Sequence, residues 1–186
     1  MNTLYWEINM DTLQALYSRK SIRAFNGEGL TESELSEILK SAYASPIGLK
    51  RYDRLSLVVI TNEELILRWE EETARIMDRE GYKAFYGAPV VVLVCSEVDE
   101  EPYSNVNYSN AAIVVHNMAI CATALNLGAC HIWSAPRALR NLPSLQREMN
   151  IKENMVPCCA IALGRCDEKY ELREIEKEKI ATTFIK

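Results

Sequence analysis

Apolar residues recur along this chain at two periods, near 3.6 and near 2, and the order in which these alternate predicts the elements. "DTLQALY" places Leu13, Leu16 and Tyr17 at helical spacing behind Asp11, so a short amphipathic helix is expected there. After the turn-rich "FNGEG", Thr31 and Glu34 in "TESELSEILKSAYA" have the spacing of a capping box. Leu35, Ile38, Leu39 and Ala42 then follow on one face. "SPIGLKRYD" reads as a loop, and "RLSLVVIT" alternates before turning continuously apolar, as a half-buried and then buried strand does. "NEELILRWEEETARIMDREG" returns to helical spacing with many exposed acids.

"YGAPVVVLVCS" carries the strongest strand signal, a β-branched run entered through Gly87 and Pro89. Residues 109–130 contain no formal charge and match the length of a membrane span. His116 and Asn117 near the middle, and Asn126 and Gly128 at the far end, argue against lipid. They fit a helix buried on most sides in a soluble protein, at a subunit interface where the alanines from Ala111 to Ala124 allow close approach. "CHIWSA" is expected to be a short strand running into a loop at Ser134. Residues 137–149 read as a helical stretch interrupted by Pro143, and "VPCCAIALG" as a last core strand. The tail is charged and then strand-like at "IATTFI", with no hairpin partner nearby, so another chain's edge is its natural mate. The sum is α+β or mixed α/β, with a sheet of four or five strands between helical layers.

At 186 residues the chain is long enough to bury a core without metals or disulfides, and no linker or repeat divides it, so one domain spanning 1–186 is expected. The net charge of -5, with acids spread along the chain, offers no basic face for a phosphate backbone and excludes nucleic acid as an expected partner. "MNTLYWEINMD" has neither the basic nor the apolar region of a signal peptide, which points to the cytoplasm and to no membrane association. Six cysteines without a Cys-x-x-Cys pair read as buried free thiols. His116 and His131 lack a second ligand at metal-site spacing, so no metal is expected.

Against this composition one stretch stands out. "SRKSIRAF", residues 18–25, crowds Arg19, Lys20, Ser21 and Arg23 at the end of the first helix. Cations there can simply meet the negative end of the helix dipole, or guanidinium forks and a hydroxyl can converge on a phosphate.

Taken together, these segments resemble the nitroreductase family of flavin mononucleotide (FMN) oxidoreductases, over nearly the whole chain. "SRKSIRAF" is similar to the family's Arg-x-Ser-x-Arg/Lys signature, "YGAPVVVLVCS" to its Ala-Pro-led strand, and "NAAIVVHNMAICATALNLGACHIWSA" to its long interface helix and flavin-facing loop. "VPCCAIALG" is similar to its closing strand. The resemblance implies an α+β three-layer α-β-α sandwich with a mostly antiparallel central sheet. It implies a homodimer holding FMN between subunits, with the C-terminal tail, from about residue 170 to 186, packed on the partner. It further implies that Arg19, Ser21 and Arg23 grip the FMN phosphate and ribityl chain, while Lys20 faces outward. Backbone atoms of His131, Trp133 and Ser134 would approach the flavin's pyrimidine side and N5. Read from the residues alone, "CHIW" is a core strand with an inward-packed indole, and His131 a packed side chain.

Two departures from the family pattern matter. The loop "ASPIGLKRYDRL" lacks the family's common Asn and Gln and is closer to a compact branch carrying Ser-Pro-x-Gly and Tyr-Asp. There Lys50 or Arg51 could place positive charge near the flavin N1/O2 edge, or be a solvated loop charge. At the C-terminus, Arg165 or Arg173 could complete the phosphate site, with a surface ion pair as the competing reading. The implied activity is an FMN-dependent oxidoreductase, reduced by NADH or NADPH and passing electrons to a small nitroaromatic, quinone or similar acceptor in ping-pong order, with no catalytic side chain required. No Gly-x-Gly-x-x-Gly fingerprint is present, in keeping with a nicotinamide that visits transiently. The alternative is a flavin-binding or structural dimer of the same fold without efficient turnover.

Overall fold

The computed structural model describes residues 10–186; the stretch 1–9, on which most of the signal-peptide reading rests, lies outside it. A four-stranded sheet in the order β1-β2-β4-β3 is antiparallel throughout, built from β1 (Leu55–Ile60), β2 (Val90–Ser96), β3 (Gly128–Ile132) and β4 (Val156–Gly164). The central β2 is buried along its whole length, which its unbroken β-branched sequence requires. Its side chains divide by parity. Val90, Val92 and Val94 face one core with Ile38, Val115 and Met118, whereas Val91, Leu93 and Cys95 face another with Trp69, Phe85 and Leu139. A bulge between Val94 and Cys95, opposite Pro157 and Cys159, puts both adjacent thiols, Cys158 and Cys159, on the same side.

Helices cover both faces, giving the expected three layers. On the first lie α2 (Glu32–Tyr43) and α4 (Ser104–Ala124), with α1 (Thr12–Ser18) packed on α4; on the second lie α3 (Glu63–Ile76), α5 (Ser134–Leu139) and α6 (Pro143–Glu148). Each start has a chemical cause. The Asp11 carboxylate accepts from the Gln14 amide, the Thr31 hydroxyl accepts from the Glu34 amide while Glu34 returns a bond to Thr31, Asn62 caps α3, and Pro143 opens α6. α4 carries no formal charge, and its inward residues include Ala111, Val115, Met118 and Ala122. No helix among the described residues is long and apolar enough to cross a membrane.

α1 is the short helix expected behind Asp11, and its apolar stripe Leu13, Leu16 and Tyr17 is exposed, with Ala15 and Ser18 as its buried residues. Two expectations need correction. "IATTFI" forms no strand: a strand needs a ladder partner, and this chain presents none to the tail. The loop at Ser134 is instead the first turn of α5. All six cysteines are free thiols, four of them buried.

Candidate functional site

The segment after α1 runs extended beside the sheet's β3 edge. The Ile22 amide donates to the Ala129 carbonyl at 2.9 Å, and the Ile22 side chain is fully buried. Side chains alternate along an extended chain, so Arg19, Ser21 and Arg23 stand on the side opposite Ile22. Two further backbone bonds fix its course: the Asn26 amide donates to the Arg165 carbonyl, and the Arg165 amide donates to the Glu28 carbonyl. Gly128 and Gly164, paired across β3 and β4, leave room for Phe25 to lie over both strand ends.

β3 is aimed by the turn that precedes it. Asn126 adopts φ 56 just past α4, its amide donating to the Thr123 carbonyl and the Leu127 amide to that of Ala122. This is a Schellman closure, with Asn in the left-handed position that glycine usually fills. It reverses the chain so that His131 on β3 meets His116 on α4, ring centroids 5.7 Å apart.

Arg19 lies close enough to both imidazoles for its charge to be felt. Burial first, then the charges of His116 and Arg19, push His131 down to about 4; burial and then Arg19 lower His116 as well. Both rings are therefore neutral at pH 7 beside a permanent cation. Cys130 lies next to the same group: burial raises its thiol, while the Arg23 charge, a hydrogen bond with Ser21 and the Arg19 charge act the other way. Among the described residues no carboxylate pairs with Arg19 or Arg23, although Lys20 is tied to Glu168 at 2.7 Å. Two guanidinium groups without counterions make a local excess of positive charge, to which the Ser21 hydroxyl adds a hydrogen-bond donor, a set with the chemistry to hold a dianion. Arg19 is itself the C-cap of α1, and the segment it opens runs on beside β3.

The tail completes this edge from its own chain. Tyr170 Oη donates to the Leu127 carbonyl at 2.8 Å and Arg173 Nε to the Tyr17 carbonyl at 2.9 Å, leaving the other guanidinium nitrogens of Arg173 without a partner among the described residues. Arg165 is committed elsewhere, its Nη2 donating to both Glu34 carboxylate oxygens at 2.9 and 3.0 Å, with Glu28 nearby. Of the two C-terminal candidates, Arg165 has its guanidinium committed to Glu34, whereas Arg173 keeps guanidinium nitrogens without a partner among the described residues. Sequence reasoning missed Tyr170 and His116; the first had a readable signal, a lone aromatic inside the charged run "DEKYELRE".

Trp133 reverses the inward reading of its indole. It is 54 % exposed, on the rim of a pocket of about 530 Å³, and follows directly on β3. Ser134 is half-buried, its Oγ hydrogen-bonded to Tyr82 Oη at 2.9 Å, and as the first residue of α5 its amide has no intrahelical acceptor. Lys50 is not brought to this cluster. It is exposed, in left-handed backbone at φ 56 after Leu49 in the same conformation, in a loop whose Gly48 amide donates to Asn110 Oδ1. Asn110 lies six residues before His116, about 9 Å along α4. Arg19, Ser21 and Arg23 do not line the pocket of about 570 Å³ beside that loop, whose lining includes Leu49, Arg54, Asp99 and Tyr103.

Comparison with known proteins bears on what this edge is. The model of the nitroreductase family matches residues 16–165. A protein of Methanothermobacter thermautotrophicus, named provisionally as an NADH dehydrogenase/NAD(P)H nitroreductase, is 26% identical over 168 residues, covering 89% of this chain and 83% of its own. The fold matches a nitroreductase with bound FMN from Desulfitobacterium hafniense at a TM-score of 0.79 and 23% identity, over 95% of this chain and 100% of that one. It also matches one from Bacteroides fragilis, again with bound FMN, at 0.78 and 22%, over 95% and 100%. The family match runs from within α1 to just past the end of β4, including the Arg19–Arg23 segment and the β3 edge it runs along, and by it this chain belongs to the nitroreductase family.

Proposed function

We propose that this chain is an FMN-dependent oxidoreductase working as a homodimer. The observation that carries the reading is the gathering of Arg19, Ser21 and Arg23 beside β3 with no carboxylate among the described residues to neutralise them. A phosphate monoester presents acceptor oxygens that such a set satisfies with charge-assisted bonds, so these residues fit the FMN phosphate, with Arg173 closing from the tail. The chemistry a bound FMN supplies is hydride acceptance from NADH or NADPH and electron delivery to a nitroaromatic, quinone or similar acceptor, in ping-pong order.

The chain's own residues bind and orient. Ser134, its hydroxyl held by Tyr82, offers a backbone amide that the fold does not use, at the place where a donor would favour reduced flavin. His131 and Trp133 lie on the same strand end, and no side chain there is required as an acid or base. Lys50, whose loop is tied to Asn110 on α4, would approach the flavin N1/O2 edge from a second copy in a site shared between subunits. The exposed apolar stripe of α1, together with Ile180, Phe184 and Ile185 in the tail, is surface suited to that partner.

The test is the Arg19→Ala/Arg23→Ala double variant. Two charge-assisted bonds of about 1.5–3 kcal/mol each predict at least about 100-fold weaker FMN binding. Flavin content equal to that of the parent would refute the phosphate assignment. A parent that holds flavin but is not reduced by either nicotinamide would identify a binding protein of this fold without turnover.

A further inference from the structure

The pocket beside Trp133 is not needed to hold a phosphate at Arg19, and its lining has a chemistry of its own. Ile76, Met77 and Ala138 give it an apolar side, Asn141 a neutral polar one, and the half-exposed Trp133 indole an open aromatic face. Arg79 enters from the turn after α3 and Arg137 from α5. Among the described residues neither is paired with a carboxylate, whereas Arg68 and Arg75 on α3 each have one. Arg79 lies instead over the Tyr82 ring, 5.8 Å from its centroid, and Tyr82 in turn holds Ser134. A volume of about 530 Å³ is within the range of small-molecule sites.

An indole face with two guanidinium groups lacking counterions matches one ligand chemistry. A planar ring stacks on Trp133, and an anionic substituent on that ring is held by Arg79 and Arg137. We infer that this pocket binds planar aromatic anions and selects them, over neutral analogues, as ligands presented beside the Ser134 turn. Two sources supply that chemistry, an aromatic carboxylic acid and an adenine nucleotide phosphate. The inference deepens the proposed function by naming a substrate class for it. As a site at the Ser134 turn it rests on that function, whereas the binding itself does not require flavin.

The experiment is calorimetric titration of the full chain as purified, its flavin content recorded, with 2-naphthoate, 2-naphthamide, adenosine 5′-monophosphate and adenosine. The parent is compared with Arg79→Gln/Arg137→Gln, whose substitutions are at exposed positions outside the phosphate-binding set. The expected result is that each anion binds at least about tenfold tighter than its neutral counterpart, one charge-assisted bond's worth. The preference is lost in the double variant, whose flavin content is unchanged. Tighter binding of naphthoate assigns the pocket to an aromatic acid, tighter binding of the nucleotide to a nucleotide phosphate. Acid and amide bound equally, or a charge preference that survives in the variant, overturns the inference. Failure of the flavin reading shows separately, as protein without flavin.

Discussion

Phe25 lies so close to Gly128 that a Cβ on the glycine would stand 2.9 Å from Phe25 Cε1 and 3.0 Å from the Gly164 carbonyl oxygen. Gly164 is as tightly covered, with 2.6 Å from its would-be Cβ to Pro89 Cδ. Neither glycine needs an unusual φ; what each supplies is the absence of a side chain where the 19–25 segment crosses the strand ends. Gly128→Ala is therefore expected to push that segment outward, lowering stability by about 1–3 kcal/mol and reducing flavin retention with it. Thermal unfolding and the flavin-to-protein ratio measure the two effects. An alanine variant as stable as the parent would show that the contact yields without cost.

The two C-terminal arginines should separate cleanly. Arg165 serves Glu34, whose carboxyl, pushed up by burial, is brought down overall by hydrogen bonds from the Thr31 amide and hydroxyl and by Arg165. Arg165→Ala should cost about 1 kcal/mol of stability by loosening the α2 cap, and leave FMN affinity alone. Arg173→Ala should do the converse, weakening FMN about tenfold with little change in melting temperature. The reverse pattern would move the phosphate site to Arg165.

Acid should destabilise the fold through His131. Its folded value of about 4 lies below the unfolded value near 6.5, so the unfolded chain takes up the proton first. The stability that this group contributes is complete above about pH 6.5 and is lost as pH falls from there toward 4. His116 and Arg19 face the ring and act in the same direction. His131→Asn should flatten the fall in melting temperature across that window, whereas an unchanged slope would place the acid sensitivity elsewhere.

Assembly can be tested at the α1 stripe. Light scattering at low concentration is expected to give a dimer mass for the parent chain, and Leu13→Glu/Leu16→Glu should shift it to monomer and release flavin together. A soluble parent monomer that retains flavin would contradict the shared site.

Much of this architecture was legible in the sequence. The unbroken Val90–Cys95 run required a strand buried on both faces, Thr31 and Glu34 announced α2, and the uncharged stretch before Gly128 announced α4. The segment carrying Arg19, Ser21 and Arg23 is extended, so their alternate spacing puts them on one side of it, a local property that the sequence displays. What was not legible depended on distant chain. Trp133 is outward because α5 begins at the next residue and carries the chain away from the core. Arg173 and Arg165 look alike in sequence, and only the partners Tyr17 and Glu34, brought in by the fold, distinguish them. Lys50 follows a left-handed Leu49, and its loop is tied to Asn110, a partner 62 positions away that local sequence does not reveal.

The central claim is that Arg19, Ser21 and Arg23 hold a flavin that nicotinamides reduce, and one visible absorption spectrum tests it most directly. Protein is purified without added cofactor, dialysed against excess FMN, freed of unbound flavin, and then mixed anaerobically with NADH or NADPH. The account predicts protein-bound flavin bands that bleach on addition of a nicotinamide. Protein that retains no flavin after reconstitution would contradict it, leaving the basic cluster beside β3 as surface charge on a nitroreductase fold.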